Sequence, residues 1–162
     1  MILIAAGSNL PFCRRDSQLI VSSAFQALGR MVEVRRVSSL YESPAWPDPA
    51  DPVFVNAVAM VETQMQPEAL LAALHAIEAG FGRRRSVRNA PRTLDLDLLA
   101  YHDERREGDG LTLPHPRLAA RDFVLVPLCE IAPDWRDPAT GETASTLLAR
   151  IGPGDVRRIA EK

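Results

Sequence analysis

The order of apolar segments along the chain constrains its fold more than any other feature of the sequence. Some segments are continuously apolar or alternate between apolar and polar residues, as strands do. Between them lie two segments whose apolar residues recur at helical spacing. The strands are expected at 1–6, 32–43, 53–63 and 93–101, the helices at 17–28 and 67–79, and a last small helix near 144–150. Strand, helix, strand, strand, helix, strand is the order of a ferredoxin-like βαββαβ sandwich. The sequence therefore predicts an α+β fold of this kind with a C-terminal extension.

The bulk composition is that of a soluble globular protein. The chain has 162 residues, of which 46% are hydrophobic and 25% are charged, so residues 1–162 are predicted to form a single domain. A formal net charge of −2 gives no overall attraction to nucleic acid or to an anionic membrane, and no apolar run reaches membrane-spanning length. The two cysteines, Cys13 and Cys129, indicate neither a disulfide framework nor a zinc site. We therefore expect a cytoplasmic protein that binds neither nucleic acid nor membrane.

Two aspartates interrupt the last predicted strand, in the segment PRTLDLDLLAY at 91–101. Aspartate is a poor strand former. Because side chains alternate across a strand, Asp95 and Asp97 share one face, about 7 Å apart at Cα, and the flanking leucines point into the core. Like charges this close repel unless a cation lies between them, and hard oxygen ligands suit Mg²⁺, which adds water and substrate phosphates. The alternative is the solvated acidic face of an edge strand, and the pair alone does not separate the two.

A cluster of arginines comes immediately before these aspartates. Five fall within ten residues: Arg83, Arg84, Arg85, Arg88 and Arg92. Guanidinium groups match the geometry of phosphate oxygens, so the cluster next to a candidate Mg²⁺ pair suits a polyphosphate. A solvated charge run and a nucleic-acid patch are the alternatives, and the negative net charge and the lack of aromatics in the cluster count against the second. No Walker sequence GxxxxGK[ST] occurs, so any nucleotide is bound without a P-loop.

Two further positions carry polar side chains suited to contact a ligand. His115 lies between two prolines that fix its backbone, with Arg117 and Arg121 following, and it can bind phosphate or move a proton. Its alternative is a histidine in a surface loop. Asn56 breaks an apolar strand and shares a face with Phe54, so an amide can read the edge of a ring while an aromatic side chain stacks on it. Its alternative is an asparagine satisfied by backbone groups.

These segments, taken in order, resemble the 6-hydroxymethyl-7,8-dihydropterin pyrophosphokinases of folate biosynthesis. The resemblance covers nearly the whole chain and is carried by AGSNL, SSLYESPA, FVNAV, IEAGFGRRR, PRTLDLDLL, LPHPR and RDFVLVPL. PRTLDLD and LPHPR with its following arginine and phenylalanine are the most specific. The resemblance implies a monomeric ferredoxin-like enzyme that transfers diphosphate from ATP to the hydroxymethyl group of the pterin and releases AMP.

The resemblance also implies roles for individual residues. Two Mg²⁺ ions would be held by Asp95 and Asp97, and the catalytic residues would be these two together with Arg83 and Arg92. The ATP-binding residues would be Glu78, Arg83, Arg85, Arg88, Arg92, Leu98, His115, Arg117 and Arg121. The pterin-binding residues would be Ser43, Pro44, Ala45, Trp46, Phe54, Asn56 and Phe123, with the two phenylalanines on either side of the ring. The segments 8–15, 44–52 and 83–91 would close over the site.

The sequence departs from the family pattern at three places. Asn89-Ala90 stand where relatives often carry Trp-Gly, Gly110 stands where some place an arginine, and Trp46-Pro47 replace a common Leu-Gly. A nucleotide-binding homologue with reduced turnover is therefore an alternative function. An RNA-binding module that uses a ferredoxin-like sheet and the arginine cluster is another.

Overall fold

The computed structural model describes residues 1–46, 48–83, 91–108 and 110–160 of the chain. Its strands are β1 (Ile2–Ser8), β2 (Glu33–Val37), β3 (Tyr41–Ser43), β4 (Phe54–Glu62), β5 (Asp95–Tyr101) and β6 (Arg157–Arg158). Its helices are α1 (Ser17–Leu28), α2 (Pro67–Gly80), α3 (Asp122–Ile131) and α4 (Ala144–Ile151), with a short 3₁₀ turn at Leu118–Ala120. The described residues thus form a mixed αβ structure of one antiparallel sheet and four helices.

The sheet has the strand order β5-β1-β4-β3-β6, and β2 also pairs with β4. The single strand predicted over 32–43 is wrong, because β2 and β3 pair with opposite ends of β4. The regular strand pairing is interrupted between β2 and β3, at Ser38. The Ser38 hydroxyl accepts the Val58 N–H at 3.0 Å, and the Ser38 N–H donates to the Val58 carbonyl at 2.9 Å. A tertiary hydrogen bond of this kind leaves no mark on the alternation of apolar residues.

Both faces of the sheet are covered. One face packs α1 and α2, around a core that includes Ile4, Leu74 and Leu96. The other face packs α3 and α4, around a second core that includes Leu3 and Leu125. Burial of this second core stabilises the fold and fixes the position of α3 against the sheet. Among the described residues, no helix has both the length and the apolarity needed to cross a bilayer.

The helices begin largely where the sequence places them. Asp16 caps α1, since its carboxylate accepts the Leu19 N–H at 2.9 Å, and Pro67 occupies the first turn of α2. The sequence predicted no helix at α3, because that helix contains Pro127. Proline removes one backbone donor and costs helix stability. Here the buried apolar side chains of α3, which pack on the sheet, outweigh that cost.

Candidate active site

The pairing of three strands brings the key polar residues to one face of the sheet. Asp95 in β5 pairs with Gly7 in β1, and Gly7 pairs with Asn56 in β4. Asp97 shares this face because Leu96, between the two aspartates, enters the core beneath α1 and α2. The alternation that predicted a common face for the two aspartates is therefore confirmed. Both side chains are partly exposed, at 23% for Asp95 and 31% for Asp97.

Asp95 lies between two guanidinium groups. Arg83 donates to its Oδ1 and Arg92 donates to its Oδ2, each at 2.5 Å. Arg83 also pairs with Glu78, a buried carboxylate of α2 that accepts the Leu96 N–H at 2.7 Å. Glu78 therefore fixes an arginine and the strand between the two aspartates at once. That Glu78 orients the arginines stays a prediction.

Asp97 has looser partners. Arg121 Nη1 lies 3.3 Å from Asp97 Oδ2, and His115 Nε2 lies 3.9 Å from the same oxygen. The Arg117 N–H donates to His115 Nδ1 at 3.2 Å, so the neutral ring carries its proton on Nε2, the nitrogen nearer Asp97. Burial lowers the pKa of His115, although the Asp97 charge acts in the opposite direction. Burial also lowers the pKa of Arg121, which remains charged because guanidinium pKa values are so high.

Two cavities meet at the aspartates. The larger cavity, of about 670 Å³, is lined by aromatic, amide and hydroxyl side chains that include Phe54, Phe123, Asn56 and Ser43. The smaller cavity, of about 340 Å³, is lined by residues that include Glu78, Arg83, Leu98, Gly110 and His115. Within the described part of the chain, Asp95 and Asp97 are the residues that line both. Two different ligands can therefore approach each other at this carboxylate pair.

The larger cavity carries a preset hydrogen-bonding edge. Asn56 is only 5% exposed, and its Nδ2 donates to Ser43 Oγ at 2.9 Å. A Cβ on Gly7 would lie 3.3 Å from Asn56 Oδ1, so the absence of a side chain at Gly7 leaves that oxygen its space. With Nδ2 engaged, Asn56 presents Oδ1 as an acceptor, and Ser43, having accepted one bond, retains its own proton to donate.

Two aromatic rings of the larger cavity each lie beneath an arginine. The guanidinium carbon of Arg92 is 5.8 Å from the centre of the Phe54 ring, and that of Arg121 is 5.4 Å from the centre of the Phe123 ring. Such cation–π contacts hold the rings and the arginines together. The cationic groups next to the aspartates and the apolar walls of the cavity are thus one connected structure.

The structure brings together most of the residues that the resemblance assigned. All seven residues assigned to the pterin line the larger cavity: Ser43, Pro44, Ala45, Trp46, Phe54, Asn56 and Phe123. The residues assigned to ATP divide, since Glu78, Arg83, Leu98 and His115 line the smaller cavity and Arg92, Arg117 and Arg121 line the larger. Arg85 and Arg88 fall outside the described residues, as do Asn89 and Ala90.

Several cavity residues were missed by the sequence analysis. Ala120, Asp122, Gly154 and Asp155 line the larger cavity, and His75 lines the smaller. The first four come together only through the path of α3 and of the turn that follows α4, so no local pattern marks them. Asn9, within the AGSNL segment, was given no individual role, and its contact with Arg92 is a tertiary one that no local pattern marks.

The donor set at the aspartates fits a divalent cation that arrives with a phosphate ligand. Among the described residues, no group of three or more His, Cys, Asp and Glu is placed to hold a metal alone. Mg²⁺ is usually bound through one or two carboxylates and completes its shell with water and substrate phosphates. Asp95 and Asp97 supply such a pair, with open space on both sides.

Comparison with known proteins gives consistent matches. The family model 7,8-dihydro-6-hydroxymethylpterin-pyrophosphokinase (HPPK) matches residues 3–133. The chain is 46% identical over 125 residues to the 2-amino-4-hydroxy-6-hydroxymethyldihydropteridine pyrophosphokinase of Synechocystis sp., covering 77% of this chain and 64% of that protein. It is 42% identical over 150 residues to the Pseudomonas aeruginosa protein of the same name, covering 91% of this chain and 90% of that protein.

A further relative and a solved structure agree with these matches. The Methylorubrum extorquens protein of the same name is 36% identical over 158 residues, and the match covers 96% of each chain. The crystal structure of wild-type Plasmodium falciparum HPPK-DHPS is similar in fold, with a TM-score of 0.71 at 14% sequence identity. That match covers 92% of this chain and 44% of the longer Plasmodium chain.

Proposed function

This chain belongs to the 7,8-dihydro-6-hydroxymethylpterin-pyrophosphokinase family, and we infer that it transfers diphosphate from ATP to the hydroxymethyl group of 6-hydroxymethyl-7,8-dihydropterin, releasing AMP, in folate biosynthesis. The geometric observation that carries this inference is the meeting of two unlike cavities at Asp95 and Asp97. The larger cavity has the walls for a flat polar ring. Arg83 and His115 line the smaller cavity, and Arg92, Arg117 and Arg121 line the larger one, so the cationic groups for a polyphosphate lie on both sides of the two aspartates.

The topology supports a ferredoxin-like assignment for the core of the fold. When β2 and β3 are counted as one broken strand, the chain follows the βαββαβ succession, with α1 and α2 on one face of the antiparallel sheet. The remaining elements α3, α4 and β6 form the C-terminal extension, and α3 and α4 cover the opposite face. This extension supplies part of the wall of the larger cavity.

The larger cavity is the proposed pterin site. Asn56 Oδ1 accepts from ring N–H groups, and the Ser43 hydroxyl donates to a ring acceptor, because the bond between the two side chains leaves each with that role. Phe54 and Phe123 stack on the ring. The walls also limit access of water, which would otherwise compete with the hydroxymethyl group as acceptor.

The smaller cavity and its rim are the proposed site of the ATP phosphates. Arg83 and Arg92 stabilise the negative charge of the transferred diphosphate, and their contacts with Asp95 orient them before the nucleotide arrives. Arg121 adds charge beside Asp97. Burial lowers the pKa of His115 and so favours the neutral ring, whose Nε2–H donates to a phosphate oxygen.

Asp95 and Asp97 are the proposed ligands of two Mg²⁺ ions. Bound there, Mg²⁺ neutralises phosphate charge and makes the substrate hydroxyl more acidic. The protein itself contributes mainly position, since it holds the pterin hydroxymethyl group and the phosphate chain in line on either side of the two carboxylates. We further propose that the protein works as a monomer in the cytoplasm, which light scattering of the purified protein and fractionation of cells would test.

A homologue with reduced turnover is the second candidate. Gly110 lines the smaller cavity and, being glycine, offers no side chain to the phosphates. Apart from its chain neighbours, no described residue has an atom within 4 Å of where its Cβ would be. Such a protein would bind nucleotide normally and form product slowly.

One assay separates these possibilities. The protein is incubated with ATP, Mg²⁺ and the pterin, and AMP, ADP and pterin diphosphate are quantified by chromatography. The proposed function predicts equal amounts of AMP and pterin diphosphate, with no AMP when the pterin is omitted. Formation of ADP, or AMP that does not depend on the pterin, would contradict it. Tight nucleotide binding with almost no AMP would favour the second candidate.

A further inference from the structure

Asn9 lies where three segments of the site meet. It follows β1, is 2% exposed, and its Oδ1 accepts the Arg92 N–H at 2.8 Å. Its own N–H donates to the Arg92 carbonyl at 3.1 Å, and its Nδ2 donates to the Pro52 carbonyl at 3.0 Å. The two ends of one buried amide thus bind two segments that are far apart in sequence, one at Pro52 and one at Arg92.

Residues of both segments line the larger cavity, and the two segments differ in their proposed roles. Arg92 carries the guanidinium that binds Asp95 and lies over Phe54. Pro52 ends the proline-rich segment whose residues Pro44 and Trp46 line the larger cavity. Within the described residues, the Asn9 side chain therefore bridges the Pro52 carbonyl and the backbone of Arg92.

The turn after Asn9 also contacts the other end of the arginine cluster. Phe12 packs on Gly82, where a Cβ would lie 2.2 Å from the Phe12 ring and where φ is +72°. Glycine is the residue that tolerates both the contact and the backbone angle. The next residue is Arg83, the second partner of Asp95. The turn therefore contacts the chain at Arg92 and next to Arg83, the two arginines that bind this aspartate.

We propose that Asn9 is a positioning residue that couples occupancy of the larger cavity to the placement of the Arg92 guanidinium at Asp95. The coupling rests on the proposed function, because it links the pterin side of the site to the phosphate side. The amide of asparagine suits this role, since it offers an acceptor to one segment and a donor to the other.

A double-mutant cycle tests the proposal. We expect Asn9→Ala to lower kcat by at least about tenfold in the wild-type background and by less than about twofold when Arg92→Ala is already present, because Asn9 acts through Arg92. The same fractional loss in both backgrounds would overturn the proposal. The matched control is Asp137→Ala, which removes a buried (4% exposed) hydrogen-bonding side chain from a turn that lines neither cavity. Asp137→Ala can lower the thermal stability, but we expect it to leave kcat unchanged both in the wild-type background and with Arg92→Ala.

A second variant distinguishes the contribution of the Asn9 acceptor from that of its donor. It also replaces Asn9→Ala as the test if that variant fails to fold. Asn9→Asp keeps an acceptor for the Arg92 N–H and loses the donor to the Pro52 carbonyl. We expect the KM for the pterin to rise at least about fivefold while kcat stays within about threefold of wild type. A fall in kcat with an unchanged KM for the pterin would contradict the assignment of Oδ1 to Arg92 placement and of Nδ2 to the larger cavity. If wild-type protein forms no pterin-dependent AMP, the proposed function fails; if it does and the cycle is additive, only the coupling fails.

Discussion

The hydroxyl of Tyr41 in β3 donates a hydrogen bond to Glu130 in α3 at 3.0 Å. Glu130 also accepts the N–H and the hydroxyl of Ser39, each at 2.8 Å. These bonds join the strand that ends at Ser43 to the helix that begins next to Phe123. Since both of those residues line the larger cavity, the Glu130 contacts hold two parts of its wall in register.

Removing the Tyr41 hydroxyl should therefore weaken the apparent affinity for the pterin more than that for ATP. Tyr41→Phe keeps the buried ring and leaves Glu130 with one donor fewer, so we expect the free energy of unfolding to fall by about 1 kcal/mol. The KM for the pterin should rise several-fold and the KM for ATP should hardly change. Chemical denaturation and steady-state kinetics measure these quantities. An equal rise in both KM values would show that the contact does not act on the larger cavity alone.

His115 should make the stability of the protein fall on the acid side of neutrality. Burial lowers its pKa below the ordinary value of 6.5, so the unfolded chain binds a proton more readily than the folded one. The stability due to neutral His115 is complete above about pH 6.5 and is lost as the pH falls through the folded-state pKa. His115→Gln cannot titrate, and we expect a shallower loss of unfolding free energy between about pH 6.5 and pH 5. Parallel curves for the two proteins, or an NMR titration of His115 at or above 6.5, would contradict this assignment.

Arg92→Ala should impair catalysis more than folding. The side chain is 24% exposed and binds Asp95, so its loss removes charge at the phosphate site and little buried apolar surface. We expect kcat to fall at least about a hundredfold, with a loss of unfolding free energy below about 2 kcal/mol. Leu125→Ala is the matched core change, since Leu125 is 0% exposed and lines neither cavity, and it should cost about 2–5 kcal/mol. A similar stability loss in both variants would make Arg92 a structural residue.

Asp97→Asn should remove activity and preserve the fold. The substitution keeps the shape of the side chain and discards the charge that a divalent cation needs, so we expect turnover to fall at least about a hundredfold. Because Asp97 is 31% exposed and its contact with Arg121 is 3.3 Å long, the free energy of unfolding should change by less than about 1 kcal/mol. Asp103→Asn, in the exposed turn after β5, is the control and should alter neither quantity. Near-normal turnover of Asp97→Asn would remove this residue from the metal site.

Much of this site could be predicted because its signals are local. Strand alternation alone predicts that the two aspartates share a face. Assigning the strands correctly was then enough to predict polar ligand-facing positions at Asp95, Asp97 and Asn56. What could not be predicted depends on tertiary contacts. α3 contains a proline that argues against a helix, and the break between β2 and β3 depends on the Ser38 hydroxyl. The cavity contacts of Gly154 and Asp155 depend on where the chain returns after α4.

The most direct test of this account is the position of a divalent cation in the loaded enzyme. We would crystallise the protein with Mn²⁺ in place of Mg²⁺, a non-hydrolysable ATP analogue and the pterin, and locate the metal by anomalous scattering. The account predicts metal peaks within about 2.0–2.3 Å of carboxylate oxygens of Asp95 and Asp97, with phosphate oxygens completing the shell. Ordered ATP phosphates and pterin with both carboxylates turned to solvent, or still bound only to arginines, would contradict it.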